Sequence, residues 1–232
     1  MFPTKFLNLD YLSYNEALTL MWKLVDIKHS SRWPEVLIFL EHEPVLTMGS
    51  RAKTSDILVS QEHLAKEGIA VHRVERGGLV TYHGPGQLVI YPVFNIHTMG
   101  LNIDNLVYGL EEVVLNTLSY FGITGNRREG HRGVWVYQEK IASIGVAIRG
   151  GITYHGLAIN YGIDLSHFDL IKPCGLNGIR MTSISKILGK SVNSAFLRKT
   201  IATNFRLQFK LDLSEWSLNQ ARQCIEPIPN RH

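Results

Sequence analysis

Three strand-like runs lie close together in the second half of this chain, and they restrict its possible folds more than any other feature. They are "GVWVY" from Gly133, "KIASIGVAI" from Lys140 and "ITYHGLAINYGI" from Ile152, the last two separated by a turn-forming "RGG". Short apolar runs bounded by glycine turns read as strands that neighbour one another. Further strand candidates are "EVLIFLEHE" (35–43), "IAVHRVE" around Val71 and "QLVIYPVFNI" (87–96). Pro92 sits inside the last of these. Proline cannot donate to a ladder, so it predicts an edge strand or a bulge. Leu18, Met21, Trp22 and Val25 recur at helical spacing. "NIDNLVYGLEEVVLNTLSYFG" predicts an amphipathic helix with Asp104 near its start and Gly122 closing it. Thr182 or Ser183 is the expected N-cap of a helix over "SISKIL". "NSAFLRKTIATNFRLQ" reads as helix, and the chain is expected to finish with a strand and a last helix begun near Ser214. The strands come in groups and do not alternate with helices. This predicts a single α+β domain over residues 1–232, with a mixed or antiparallel sheet and helices packed on it, and argues against a doubly wound nucleotide fold.

Composition agrees with a soluble globule. Of the 232 residues 45% are hydrophobic and 19% charged, enough for a sizeable core. No apolar run is long enough for a transmembrane helix. The N-terminal "MFPTKFLNLDYLSYNE" has acids and no apolar core, so it does not read as a signal peptide. Two cysteines, Cys174 and Cys224, cannot build a disulfide framework and point to a reduced, intracellular setting. The net charge of +4 is spread along the chain, unlike the clustered charge of nucleic-acid binders. It serves either solubility or attraction of an acidic macromolecular partner.

The stretch "RGGLVTYHGPGQ" (76–87) carries the strongest hint of chemistry. Glycines of this density let a backbone come close to something. It is not a phosphate loop: neither the P-loop nor the dinucleotide fingerprint is present, and a strand-like run, not a helix, follows. The ten histidines show no zinc spacing and no paired C-x-x-C occurs. Ser183 and Lys186 match S-x-x-K, but the companion motifs of penicillin-binding enzymes are missing, and Ser183 is more simply a cap. "HGPG" lacks the G-x-S-x-G elbow that would make it an oxyanion loop. "TYHG" occurs at 81–84 and again at 153–156, either by chance or because two hairpins present similar surfaces to one site. Cys174, in "LIKPCGLNG", lies where proline and glycine shape an accessible loop, and is either a nucleophile or structural. Cys224, in a predicted helix, reads as a small apolar packing group. Lys140 is either an exposed strand end or a cation that the fold brings to Cys174, where it would depress a thiol pKa that starts near ~8.5.

Taken in order and spacing, "RGGLVTYHGPGQLVIYPV", "GVWV…KIASIGV", "HGLAIN" and "KPCGLNGIRMTS" resemble the signature blocks of the lipoyl(octanoyl) transferase family. The resemblance covers roughly residues 35–185. It implies the α+β fold of the biotin and lipoate protein ligase catalytic domain. It implies transfer of an octanoyl group from octanoyl acyl carrier protein to a lysine of lipoyl domains, those of 2-oxoacid dehydrogenase complexes and the glycine cleavage H protein. On this resemblance Cys174 is the acyl-accepting nucleophile, and Lys140 lowers its pKa and serves as acid and base. Arg76, Gly77, Gly78, Leu79, Val80, Thr81, Tyr82 and His83 form a substrate-binding strip, Ser143, Ile144 and Gly145 a second, and Gly156, Leu157 and Ala158 a third. Leu79 stands where many relatives carry a polar or basic side chain. The resemblance implies a cytoplasmic monomer that needs no cofactor or metal and binds neither nucleic acid nor membrane. The positive charge fits an acidic carrier protein. Val80, Ile144, Leu157 and Ile159 are expected to line an acyl slot or to belong to the core. The competing readings are an ATP-dependent lipoate or biotin protein ligase on the same fold, a non-catalytic carrier-binding module in which Cys174 is structural, and, more distantly, a zinc hydrolase.

Overall fold

The computed structural model describes residues 1–30, 33–172 and 179–225; Cys174 lies outside the described residues. From the N-terminus the chain forms β1 (Phe2–Tyr11), α1 (Tyr14–Ser30), β2 (Glu35–Glu41), β3 (Val45–Met48), α2 (Gln61–Lys66), β4 (Ala70–Arg73), β5 (Val80–His83) and β6 (Gln87–Val93). It continues through α3 (Ile103–Tyr120), β7 (Asn126–Arg128), β8 (His131–Val136), β9 (Glu139–Arg149) and β10 (Ile152–Asn160). It closes with β11 (Arg180–Met181), α4 (Ile184–Leu188), α5 (Ser194–Phe209), β12 (Leu211–Glu215) and α6 (Leu218–Ile225).

Among the described residues the large sheet runs β12-β1-β2-β6-β10-β9-β8-β7, with β11 paired to β9. β1 is parallel to both β2 and β12, the steps from β2 to β7 are antiparallel, and β11 is parallel to β9. A smaller sheet, β4-β3-β5, stands beside it. This is the mixed α+β architecture expected from the grouped strands.

The continuous apolar run of β2 follows from burial on both faces. Leu37 and Phe39 join Leu106, Leu110, Ile201 and Phe205 of α3 and α5 on one side. Val36, Ile38 and Leu40 join Leu20, Met21 and Leu24 of α1 on the other. The alternation is the two-residue period of a strand. A third cluster fills the small sheet, where Leu46, Val80 and Tyr82 meet Leu64 of α2 and Phe168. Asn102 caps α3 by accepting from Asn105 N, and Ser183 caps α4 by accepting from Lys186 N at 3.2 Å. That second bond occupies the hydroxyl of the S-x-x-K pattern. No helix of the described residues is long and apolar enough to cross a membrane.

Several local expectations are corrected. α1 buries Ala17, Leu20, Met21, Leu24 and Val25, whereas Trp22 is 43% exposed and Leu18 only partly buried. The buried stripe starts at Tyr14, a turn earlier than the pattern suggested, and ends at Lys28, which meets Glu35 at 3.0 Å in a buried ion pair. Pro92 is not on an edge: β6 lies between β2 and β10. The β6–β10 ladder is interrupted beside it. Pairing runs from Gln87 to Ile90, and resumes where Thr153 N donates to Phe94 O and Thr153 Oγ1 donates to Pro92 O. The missing N–H of Pro92 falls in that gap. The last helix begins at Leu218, after β12 has used Ser214, and Ser217 and Gln220 cap it reciprocally. Cys224 is exposed and does not pack as an apolar group. The sequence pattern predicts none of β1, β3, α2, β5, β7 and β11.

The "HGPG" turn leading into β6 requires its second glycine. Gly86 has φ +85°, and an added Cβ would sit 2.5 Å from the backbone of Gly162. Its N–H donates to Glu41 at 2.8 Å, and its carbonyl accepts from Tyr161 N and Gly162 N. Gly86→Ala should therefore cost about 2 kcal/mol or more, seen as a thermal midpoint lower by several degrees. An unchanged midpoint would show that the turn tolerates a side chain.

Candidate active site

A cavity of about 670 Å³ opens where the β9–β10 hairpin faces the glycine-rich segment, with Ile103 and Val107 of α3 on its wall. The three strips expected from the sequence converge there. Arg76 to Thr81 and His83 contribute from the first, Ser143 to Gly145 from the second, and Gly156 to Ala158 from the third. Leu79, the departure from the family pattern, is on the wall. Tyr82 is not among the lining residues. It is 1% exposed, stacks on His167 at 4.7 Å and meets Phe168 edge-on. A strand sends successive side chains to opposite faces, so Tyr82 points away while Thr81 and His83 point in. Of the expected apolar lining, Val80, Ile144 and Leu157 are on the wall, and Ile159 is fully buried core.

The glycines serve backbone contact. Gly77 N donates to Val146 O at 3.1 Å, and Ser50 N, Gly49 N and Arg51 N donate to Arg76, Leu79 and Gly78 carbonyls. An added Cβ at Gly145 would lie 2.8 Å from Gly77 O. The loop is thus wedged between β9 and the residues after β3. Tyr154 OH donates to Glu75 and ties the start of the loop to β10.

Lys140 is 4% exposed and lines the cavity. It is not an exposed strand end. β9 holds it opposite Trp135 on one side and Met181 of β11 on the other, and its Nζ lies 5.5 Å from the Trp135 ring centre. Thr182 N donates to the Lys140 carbonyl at 2.9 Å.

Beneath the cavity runs a chain of buried hydrogen bonds whose direction is forced. Asn160 Nδ2 donates to Thr182 O at 3.0 Å, so its Oδ1 accepts from Gln87 Nε2 at 2.8 Å. Gln87 Nε2 also donates to Tyr82 O, so Gln87 Oε1 accepts from His83 Nδ1 at 2.6 Å. His83 therefore carries its proton on Nδ1, and Nε2 faces Thr47 Oγ1 at 3.4 Å. Thr47 Oγ1 in turn accepts from Arg76 Nε and Nη2, and Arg76 Nη2 also donates to Thr47 O at 2.6 Å. A second pair lies alongside. His42 Nδ1 donates to Leu12 O, and His42 Nε2 accepts from Tyr91 OH at 2.8 Å.

Burial holds these histidines neutral. It pushes His42 down to about 4, and His83 and His155 down to about 3, with neighbouring His42 and Arg76 adding like-charge repulsion at the latter two. His155 is 2% exposed, sits in the left-handed region at φ +56°, lines the cavity, and has no hydrogen-bond partner at Nε2. The repeated "TYHG" thus brings both of its histidines to one cavity and turns both tyrosines away.

The sequence reading missed Arg51, Val89, Tyr91, Ile103, Val107, Gly130 to Arg132, Val146, His155 and Met181, which also line the cavity. The tetrapeptide echo was the signal for His155. Arg51 and the α3 residues are brought in only by tertiary packing.

The family model of the lipoyl protein ligase A/B catalytic domain matches residues 13–206. The chain is 42% identical to an octanoyltransferase of Syntrophobacter fumaroxidans, over 94% of this chain and 96% of the relative. It is 41% identical to an octanoyltransferase of Caldicellulosiruptor saccharolyticus, over 89% of this chain and 92% of that one. Its fold matches a crystal structure of lipoate-protein ligase A bound with ATP, with a TM-score of 0.75 and 18% identity, covering 97% of this chain and 94% of the other.

The buried histidines make acid sensitivity predictable. Unfolded, each titrates near ~6.5, whereas in the fold it takes up its proton only near 3 to 4. Between these values the unfolded chain binds more protons, so stability falls as pH falls, each histidine adding about 1.4 kcal/mol per pH unit. Urea unfolding from pH 7 to 4.5 should show this slope, and His155→Asn, which keeps a residue tolerant of positive φ, should flatten it. Equal slopes in the two proteins would refute the assignment.

Proposed function

The chain belongs to the lipoyl protein ligase A/B catalytic-domain family, and from that premise we propose that it carries octanoyl groups from octanoyl acyl carrier protein to lipoyl domains through a thioester on Cys174. Octanoyl transfer in protein lipoylation is the activity of its relatives, which are 41–42% identical over most of their length, and the chain is an octanoyltransferase. The donor, the covalent route and the residue roles are the proposed part.

The observation that carries the reading is the position of Lys140. It is a buried amine side chain on the wall of a cavity lined by both polar and apolar groups, and its strand partner, Met181, follows Cys174 by seven positions. An octanoyl thioester is already activated, so no ATP is needed. The Cys174 thiolate attacks the thioester carbonyl; the new S–C bond forms, the bond to the carrier's pantetheine sulfur breaks, and that sulfur leaves as a thiol with a proton from Lys140. The acceptor lysine amine then attacks the acyl-enzyme. An amide C–N bond forms, the C–S bond to Cys174 breaks, and Lys140 takes the amine proton. Ile144 and Leu157 offer apolar surface to the eight-carbon chain, at on the order of 0.8 kcal/mol per buried methylene. The same reading has one catalytic domain over 1–232, acting as a cytoplasmic monomer on lipoyl domains of 2-oxoacid dehydrogenase complexes and the H protein.

Intact mass after incubation with octanoyl acyl carrier protein, without ATP or acceptor, tests this. The protein should gain one octanoyl group, Cys174→Ser should gain none, and Lys140→Ala should label at least about 100-fold more slowly. A wild-type protein that stays unmodified while the carrier keeps its octanoyl group would remove the covalent route.

A further inference from the structure

Asn160 closes β10 at the inner end of the site and belongs to none of the three binding strips. It is 1% exposed and pairs in register with Gln87, the first residue of β6. Its amide reads two fixed partners at once, accepting from Gln87 Nε2 at 2.8 Å and donating to Thr182 O at 3.0 Å. Thr182 is thereby held through both of its backbone groups, since its N–H donates to Lys140 O at 2.9 Å. Thr182 follows directly on β11, whose two residues pair with Glu139 and Lys140. A parallel pairing of two residues has little stability of its own. The Asn160 amide supplies a side-chain bond that pins it, and Gln87 pins Asn160. The side-chain oxygen and nitrogen cannot exchange places, because Thr182 O and Tyr82 O can only accept.

We infer that Asn160 is a positioning residue for octanoyl transfer: by binding the Thr182 carbonyl it sets β11 against the strand of Lys140 and so holds Lys140 in its place on the cavity wall. The inference rests on the reading of Lys140 and Cys174 above. Asn160 touches no substrate. It acts on distance, and a displacement of about 1 Å between reacting groups costs on the order of 100-fold in rate.

The test uses Asn160→Ala and Asn160→Asp in the full chain. The second keeps an acceptor for Gln87 and removes the donor to Thr182, and it serves alone should the first not fold. Ile201→Ala, a buried change in α5 away from the cavity, controls for lost stability. With octanoyl acyl carrier protein and a lipoyl domain, the Asn160 variants should lose about 10-fold or more in kcat, with KM for the carrier within about twofold. Ile201→Ala should lower the thermal midpoint and keep kcat. Alkylation of Cys174 by iodoacetamide across pH, followed by peptide mass with exposed Cys224 as the internal reference, should shift upward in the Asn160 variants toward the profile of Lys140→Ala. Wild-type kcat in either variant, or a loss matched by Ile201→Ala with an unshifted alkylation profile, would overturn the inference. Should Cys174→Ser still transfer octanoyl groups, the covalent reading falls, and the kcat comparison alone decides the role of Asn160.

Discussion

The amide of Gln87 is the constraint on which the site depends. One side-chain nitrogen serves two acceptors, Tyr82 O and Asn160 Oδ1, and this turns the oxygen to His83. Everything from Arg76 to Thr182 then has a single possible direction. The chain crosses from the small sheet, which carries Thr47 and His83, to the large sheet, which carries Gln87 and Asn160. A fully satisfied buried network strengthens each member and penalises any break, because an orphaned polar group in a low-dielectric interior has no water to turn to. The two sheets are locked at the place where the cavity lies between them.

The same network decides what His83 can do. Both ring nitrogens are engaged within the protein, and burial holds the ring neutral. Its role is to transmit position from Thr47 to Gln87 while its surface forms cavity wall. Lys140 reaches the same cavity from β9, between Trp135 and Met181. The glycine-rich loop complements this rigidity. Its carbonyls accept from the residues after β3, one of its N–H groups bonds β9, and the absence of side chains lets three backbones converge on one wall.

The fold is shared with a lipoate-protein ligase at 18% identity, while octanoyltransferases share more than twice that fraction of residues. A fold supplies a sheet, a hairpin and a cleft; the reaction is set by the side chains placed on them. In this chain the side chains on the cavity wall include a buried lysine on β9 and two buried histidines, His83 and His155.

Much of this was legible in the residues, because it is local. The strands around Gly133, Lys140 and Ile152, the Ser183 cap and the α3 boundaries depend on periodicity and capping within a few residues. The binding strips and the roles assigned to Lys140 and Cys174 came from the family resemblance of long motifs. Tyr82, Ile159, Trp22 and Pro92 could not be placed in that way. Each needed to know which face a distant element covers: His167 and Phe168 of the 3₁₀ turn Leu165–Leu170 draw Tyr82 inward, the α3 and α5 side of the sheet takes Ile159, and β10 leaves a gap that admits Pro92 in a central strand. By itself the sequence determined the mixed α+β class and the strips that meet at the cavity. Only the tertiary structure decided that Asn160 and Gln87 direct the buried hydrogen bonds and that Arg51 and α3 complete the wall, since these residues are far apart in the chain and meet only when β6 pairs with β10 and the small sheet and α3 pack around the cavity.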